Sequence, residues 1–381
     1  MVKKKNEPWN ITVDPNYLPE VSLIIPTYNE ASVIVKKLEN VLNLDYPVDK
    51  LQVIIVDSNS TDRTLEICKN FIDKNPSRFE IKLISESERL GKSHALNTAL
   101  KHADGEIIAT SDADAFWEPN ALRKAVSFFA DPTVGAVTGK EIITNIQKSI
   151  HTMGEGLYRK FYYAFRLGES KIHSTLIFDG SLAFYRRKAF PQFEDKPGYA
   201  DDTGTILKIL SNGYRCIFVQ DAVFYDATAF SFKGKLTLKS RRAQHIIAGL
   251  LRSAKLKVAR KMSIPSIIIL FNLHLHVISP ILLLAALPLT VVTYLVYFPK
   301  LWYFPLFLVP FLSLKKLRLF IISYLTSNLA LVIGLLRHLT RKRSKIWKKV
   351  DEMRYEVPEK RRKKYEDSSN VPKILSRHRR N

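Results

Sequence analysis

The chain has 381 residues, room for two or three domains, and its 59 Lys and Arg against 36 Asp and Glu give a formal net charge of +23. Its two cysteines, Cys68 and Cys216, exclude a disulfide framework and fit a reduced compartment. A positively charged start with no apolar stretch behind it predicts that there is no cleaved signal peptide.

In chain order, a polar arm over residues 1–20 precedes alternating strand and helix patterns. Short apolar, β-branched runs predict strands, and apolar residues at helical spacing predict the helices between them. This alternation predicts an α/β fold with a right-handed, mostly parallel sheet and helices on both faces. The predicted strands are 21–25, 53–56, 81–85, 107–111, 134–138 and 178–185, and the predicted helices are 31–44, 64–75, 93–102, 119–129 and 204–210.

From residue 264 the chain becomes strongly apolar. The runs 264–298, 301–314 and 319–336 contain no Asp, Glu, Lys or Arg. Since a membrane-spanning helix needs about 20 apolar residues, we expect two to four spans. The sequence therefore divides into a catalytic domain at 21–230, a basic interfacial segment at 231–263, a transmembrane region at 264–339 and a basic tail at 340–381.

Two basic blocks flank this apolar region. Residues 233–261 hold ten Lys and Arg with no acid, and residues 341–381 hold 16 Lys and Arg with six acids. Such placement favours a membrane surface as the partner over nucleic acid. We expect a multi-pass protein of the cell membrane whose catalytic domain and tail are cytoplasmic. A basic nucleic-acid-binding protein is a weaker alternative, because the chain lacks a basic groove interleaved with aromatic residues.

Acidic side chains follow the strand predicted at 107–111. Asp112 and Asp114 are separated by one small residue, and in open α/β sheets ligands bind beyond the carboxyl ends of the strands. Two carboxylates there suit a hard divalent cation that also holds a phosphorylated ligand. An ordinary turn is the alternative for this pair taken alone, because Asp favours turns.

Other polar residues sit at the same predicted edge. Thr27, Glu30 and Asp57 follow the first two strands and supply the groups that a base and ribose need, although a turn or capping role fits each of them separately. Lys92 opens a helix, where free backbone amides and a cation can both face phosphate. Together they predict a nucleotide site.

Five motifs in order resemble the family 2 glycosyltransferases of the GT-A fold, in the membrane-bound branch related to cellulose and hyaluronan synthases. The resemblance covers about residues 20–262. It rests on IPTYNE at 25–30, VDSNSTD at 56–62, GKSHALNTAL at 91–100, SDADAFWEPNAL at 111–122 and GSLAFYRRKAF at 180–190.

This resemblance implies an inverting hexosyltransferase with a nucleotide-sugar donor, expected to be a UDP-sugar, and with Mg²⁺ or Mn²⁺ as cofactor. Thr27, Glu30, Asp57 and Lys92 would then hold the nucleotide, and Asp112 and Asp114 the nucleotide and the metal. By the same resemblance Asp202 is the general base and Asp201 its support. A metal bridging the phosphates, with fixed positive charge nearby, would stabilise the departing diphosphate.

The family's last motif, Gln-x-x-Arg-Trp, is altered here. Arg242 is retained and can bind diphosphate bidentately, but Lys239 stands for the Gln and Ala243 for the Trp. Loss of the Trp favours transfer of one sugar to a lipid-linked or glycan acceptor. A processive polysaccharide synthase stays open, as do a non-catalytic nucleotide-sugar-binding scaffold and, more weakly, a nucleotidyltransferase. Unranked candidates for the acceptor pocket are Lys140, Glu141, Glu155, Gly180 and Ser181.

Overall fold

The computed structural model describes residues 1–75, 79–196, 202–297 and 313–340. Its centre is one eight-stranded sheet in the order β3-β2-β1-β4-β7-β6-β8-β5. The strands are β1 Val21–Thr27, β2 Leu51–Asp57, β3 Glu80–Ser85, β4 Ile107–Thr110, β5 Phe116–Trp117, β6 Val134–Ile143, β7 Ala183–Arg186 and β8 Arg215–Asp226.

The N-terminal half of the sheet is parallel, as predicted. Strand β1 pairs with β2 on one side and with β4 on the other, so that Thr27 lies beside Asp57 and Ile24 beside Thr110. Strands β2 and β4 are buried along their whole length because helices cover both faces, which explains their continuous apolar sequences. The carboxyl ends of these strands therefore meet at one edge.

The other half is mixed, and six of the eight strands in the sheet run in one direction, as expected for a mostly parallel sheet, with β7 and β5 opposed to them. Strand β7 runs antiparallel to both β4 and β6, and β5 runs antiparallel to β8, whereas β6 and β8 are parallel. The strand predicted at 178–185 begins only at Ala183. Its first residues form a turn, closed by the Leu182 amide donating to the Asp179 carbonyl at 3.1 Å.

Two hydrophobic cores lie on opposite faces of the sheet, which is why apolar residues recur at helical spacing between the strands. Helices α1, α2 and α4 cover one face, and α3, α6, α7 and α8 cover the other. The ten helices of the described residues are α1 Ile34–Leu42, α2 Thr64–Lys74, α3 Lys92–Leu100, α4 Ala121–Val126, α5 Ile150–Ile172, α6 Asp202–Ser211, α7 Phe232–Val258, α8 Ser266–Leu273, α9 Ser279–Tyr297 and α10 Lys315–Leu339.

Helix α10 packs closely on α7. A Cβ placed on Gly334 would lie 2.7 Å from the Cβ of Ala243, so glycine is required for this approach. Polar contacts add to the packing, since Arg337 Nη1 donates to Ser240 Oγ at 2.9 Å. Helix α7 occupies most of the segment predicted to lie at the membrane interface, and its face towards α10 is buried in protein.

Two helical stretches are long and apolar enough to cross a membrane, judged by length and composition. Ser266–Tyr297 has 32 residues and Leu317–Leu339 has 23, and within an apolar window of 18 residues in each, 11% and 44% of the window is buried. Most of the predicted run 301–314 and nearly all of the tail predicted at 340–381 lie outside the described residues. The number of spans stays a prediction.

Candidate active site

The ends of β1 and β2 bring the predicted nucleoside residues together. The Thr27 hydroxyl lies 3.2 Å from the Val56 carbonyl and 3.3 Å from Asp57 Oδ1, and the Ser60 amide donates to Asp57 Oδ2 at 3.0 Å. The Glu30 amide N lies 2.7 Å from Thr64 Oγ1. Thr27, Glu30 and Asp57 are all buried, so each is held by the fold at this edge.

Asp112 leaves β4 at the same edge and is held from two sides. Lys92, the first residue of α3, places its Nζ 2.5 Å from Asp112 Oδ1, and the Ser181 hydroxyl donates to Oδ2 at 2.8 Å. Burial alone would raise the pKa of Asp112, but Lys92, Ser181 and Arg242 outweigh it and lower the pKa. Asp112 is therefore a carboxylate at neutral pH.

Carboxylates crowd the region around Asp114. Burial raises the pKa of Asp226, at the end of β8, well above its usual value, and the charges of Asp114 and Glu141 raise it further. This concentration of negative charge suits a cation. Among the described residues no group of three or more His, Cys, Asp or Glu side chains is placed to hold a metal ion. Mg²⁺ and similar ions are commonly held by one or two carboxylates together with substrate phosphates, so Asp112 and Asp114 fit that role.

Asp202 is the first residue of α6, because this helix begins two residues before the start predicted at residue 204. The Tyr185 hydroxyl donates to its Oδ1 at 3.3 Å. A Cβ on Gly180 would lie 2.4 Å from Asp202 Oδ2, so the carboxylate rests directly on the backbone of the turn before β7. Because Ser181 of the same turn contacts Asp112, one short turn connects both acids. Asp201 lies outside the described residues.

A cavity of about 230 Å³ collects four of the predicted residues, Lys92, Asp112, Asp202 and Arg242. Of the unranked acceptor candidates, Glu141, Glu155, Gly180 and Ser181 line it and Lys140 does not. The remaining predicted residues that the structure describes, Thr27, Glu30, Asp57 and Asp114, are outside its lining. The structure therefore brings four of the predicted residues into one cavity and leaves four others outside its lining.

Helices α5, α7 and α10 enclose the far part of this cavity. Tyr158 and Arg159 come from α5, Lys239 and Arg242 from α7, and Ser327 from α10. Burial would lower the pKa of Arg242, but Asp179, Glu141 and Asp226 outweigh it and raise that pKa, so the guanidinium stays charged. The cavity thus extends from Asp112 to a helix that is long and apolar enough to cross a membrane.

Packing explains why Ala243 replaces the family's Trp. Gly334 of α10 lies so close to Ala243 that even a Cβ on the glycine would meet Ala243 Cβ at 2.7 Å. An indole at position 243 would need the space that α10 occupies. The sequence shows the substitution, but only the packing of α10 gives its cause.

Four residues near the site were missed from the sequence: Lys37, Asp179, Tyr185 and Asp226. Lys37 could have been found from the sequence, because it lies four residues after Val33 and four before Val41 on the apolar stripe of α1. The other three lie in or beside β7 and β8, where antiparallel pairing was not predicted.

Comparisons with known proteins agree with this geometry. The model of the family described as Glycosyl transferase family 2 matches residues 22–193. In the solved mannosyltransferase PcManGT from Pyrobaculum calidifontis, in complex with GDP-Man and Mn²⁺, 34% of aligned residues are identical. That likeness covers 90% of this chain and 93% of the other, with a TM-score of 0.74. The chain belongs to glycosyl transferase family 2. The resemblance, the class of enzyme and a GT-A-like mixed α/β sheet are thereby confirmed.

Two curated members of family 2 illustrate the sequence similarity. A β-monoglucosyldiacylglycerol synthase of Synechocystis is 38% identical over 140 residues, which is 36% of this chain and 29% of the relative. The probable glycosyltransferase YdaM of Bacillus subtilis is 30% identical over 220 residues, 57% of this chain and 52% of the relative. The chain thus spans about half or less of the length of these curated relatives.

Proposed function

We propose that this chain transfers one sugar from a nucleoside diphosphate donor to a hydroxyl of a lipid-linked or glycan acceptor, with inversion and with a divalent cation. The observation that carries the proposal is the turn at 179–181. Its Ser181 hydrogen-bonds Asp112, and its Gly180 backbone supports Asp202, so both acids line one cavity with Lys92 and Arg242.

Each residue then has a defined task. Thr27, Glu30 and Asp57 hold the nucleoside, and Lys92 and Arg242 face the diphosphate. Asp112 and Asp114 hold the metal, which when bound supplies Lewis-acid stabilisation of the departing diphosphate. Asp202 accepts the proton of the acceptor hydroxyl while its oxygen forms the new bond to the anomeric carbon. The bond from that carbon to the diphosphate breaks in the same displacement, which inverts the configuration. Asp201 stays a proposed support for Asp202.

The identity of the donor is part of the proposal. The sequence predicts a UDP-sugar, whereas the related mannosyltransferase was solved with GDP-Man and Mn²⁺. The name of the Synechocystis relative describes a glycosylated diacylglycerol, which supports a lipid acceptor here. We propose that the reaction takes place at the cytoplasmic face of the cell membrane, because two apolar helical stretches are long enough to anchor the chain and the basic blocks that flank the apolar region favour the cytoplasmic side.

A donor panel tests this function. Purified full-length chain is incubated with UDP-glucose, UDP-galactose, UDP-N-acetylglucosamine and GDP-mannose, with Mn²⁺, with Mg²⁺ or with EDTA, and free nucleoside diphosphate is measured. We expect one donor to be hydrolysed preferentially and only with metal. Metal-dependent binding without turnover of any donor would indicate a scaffold, and release of pyrophosphate would indicate a nucleotidyltransferase; either result overturns the proposal.

A further inference from the structure

A cluster of four charged residues adjoins the far end of the cavity, and Glu155, Arg159 and Lys239 of this cluster line it. Glu155 of α5 is buried, with its Oε2 2.7 Å from Lys239 Nζ and 3.0 Å from Lys235 Nζ, and its Oε1 3.3 Å from Arg159 Nε. Arg159 also pairs with Glu141. We call Glu155, Arg159, Lys235 and Lys239 the Lys239 cluster. Three cations therefore share the two carboxylates of Glu155 and Glu141, which leaves a surplus of one positive charge.

The electrostatics of the two lysines reflect this surplus. Burial lowers the pKa of Lys239, and the charges of Lys235 and Arg159 lower it further, although Glu155 opposes them. Burial likewise lowers the pKa of Lys235, with Glu155 opposing and Arg159 adding to the effect. The same cations outweigh burial and hold the pKa of Glu155 far below its usual value. A further anion here would stabilise the positive charge that Glu155 and Glu141 leave unbalanced.

The position of Lys239 connects this cluster to the reaction centre. Lys239 lies one helical turn before Arg242 on α7, and both line the cavity. Its Nζ also donates to Ser327 Oγ of α10 at 2.7 Å and lies 5.2 Å from the ring centroid of Tyr158. Beyond Ser327 the cavity is bounded by Ala330 and Leu331 of the same apolar helix. The cationic end of the cavity therefore lies next to an apolar wall formed by α10.

We propose that the Lys239 cluster binds the phosphate ester of a lipid acceptor, whose chains lie along α10 while its reactive hydroxyl points towards Asp202. This inference rests on the proposed function and specifies its acceptor. The subsite is separate from the donor diphosphate, which we assign to Lys92, Arg242 and the metal. Lys239 adds a cation where the family's motif has an uncharged Gln.

Binding of dodecyl phosphate tests the subsite. Purified full-length chain in a neutral maltoside detergent with EDTA is titrated calorimetrically with dodecyl phosphate, dodecanol and inorganic phosphate. We expect dodecyl phosphate to bind tightest, because charge-assisted hydrogen bonds and an apolar chain act together. Lys239→Gln keeps hydrogen-bonding capacity but removes the charge. We expect it to weaken the binding of dodecyl phosphate about tenfold or more, because a hydrogen bond to a charged group contributes about 1.5–3 kcal/mol. Lys239→Arg should retain most of the binding.

Two further variants locate the site. Lys255→Met removes an exposed cation of the same helix and should leave dodecyl phosphate binding unchanged. Lys92→Met should weaken metal-dependent nucleotide binding without affecting the binding of dodecyl phosphate. A loss of dodecyl phosphate binding in Lys255→Met equal to that in Lys239→Gln would show general attraction to a basic surface, which overturns the proposal.

A second pair of variants tests the phosphate subsite even if Lys239→Gln does not fold. Ser327→Asp introduces a negative charge beside Lys239 from α10, whereas Ser327→Asn is a neutral control of the same shape. The first variant should lose dodecyl phosphate binding about tenfold or more and the second should not, by the same contribution of charged hydrogen bonds. Equal binding of both variants contradicts a phosphate subsite.

Comparison of the three ligands shows whether the bound anion belongs to a lipid or is free phosphate. Dodecanol binding as tightly as dodecyl phosphate would show an apolar groove alone, and inorganic phosphate binding as tightly would show a site for free phosphate; both outcomes overturn the lipid assignment. Donor hydrolysis is measured in parallel with the same variants. In the unmodified chain, donor hydrolysis without dodecyl phosphate binding would overturn the acceptor subsite alone, and dodecyl phosphate binding without donor hydrolysis would contradict the glycosyltransferase function, so the two failures are distinguishable.

Discussion

The ammonium of Lys37 lies 2.6 Å from the hydroxyl of Ser111 and 2.6 Å from the carbonyl of Ala115, so one buried side chain joins both ends of the loop that carries Asp112 and Asp114. Burial lowers the pKa of Lys37 to about 7, with Asp112, Asp114 and Asp226 opposing the shift. Lys37 therefore holds the loop in position from the protein interior, and it does not line the cavity.

Replacement of Lys37 by Met tests this positioning role. The loop would lose two hydrogen bonds to a charged group, each contributing about 1.5–3 kcal/mol, so we expect the Kd of the metal–nucleotide complex to rise about tenfold or more. Lys36→Met, at an exposed neighbour on the same helix, is the matched control. Nucleotide affinity that stays the same in both variants, measured by calorimetry with and without Mn²⁺, would contradict the role of Lys37.

Asp114→Asn tests the metal site. We expect this variant to lose sugar transfer and the metal-dependent part of nucleotide binding, because a neutral amide is a poorer ligand for a hard cation than a carboxylate. Asp49→Asn changes an exposed acid and should behave like the unmodified chain. Normal turnover in membranes that contain Asp114→Asn would reject the metal role.

Asp202→Asn should separate binding from chemistry. An amide cannot accept the acceptor proton, so kcat should fall by about 10²–10⁴-fold, the range typical of a lost general base, while donor affinity stays near normal. Donor Kd is measured by calorimetry and transfer by product formation. Near-normal transfer kinetics would place the base elsewhere.

Gly180→Ala examines the contact between the turn and the base. The added methyl would lie 2.4 Å from Asp202 Oδ2, so the carboxylate must move and kcat should fall. If the methyl acts through Asp202, adding Gly180→Ala to Asp202→Asn should produce little further loss, because effects on one interaction are not additive. Additive losses in this double-mutant cycle would indicate a separate structural effect.

Glu169 predicts a dependence of stability on pH. Burial raises its pKa to about 7 from an ordinary 4.5, against the hydrogen bond that Asn272 donates and the charge of Arg166. Because the folded pKa is raised, its favourable contribution is fully present below pH 4.5 and is lost as the pH rises through 7. A shift of one unit corresponds to about 1.4 kcal/mol, so Glu169→Gln should gain up to about 3 kcal/mol over the unmodified chain between pH 4.5 and 8. Thermal unfolding of both chains across that range measures the difference, and parallel curves would contradict it.

The sequence by itself determined the parallel half of the fold and the residues at its edge. Continuous apolar runs can be stable only when both faces of a strand are covered, so β1, β2 and β4 were recognisable locally. The acids and hydroxyls that follow them, among them Asp57 and Asp112, had to meet because parallel strands end at a common edge. Five motifs in a fixed order then indicated the family before any coordinates were known.

Tertiary structure alone decided the far end of the cavity and the mixed half of the sheet. Lys239 and Ser327 are 88 residues apart yet share a hydrogen bond, and neither has a local pattern that indicates the other. The limit on side-chain size at Ala243 likewise comes from Gly334 on a separate helix. Periodicity reports which face of an element is buried, but not which distant element covers it. The surplus charge around Glu155 therefore became visible only once α5, α7 and α10 were packed together.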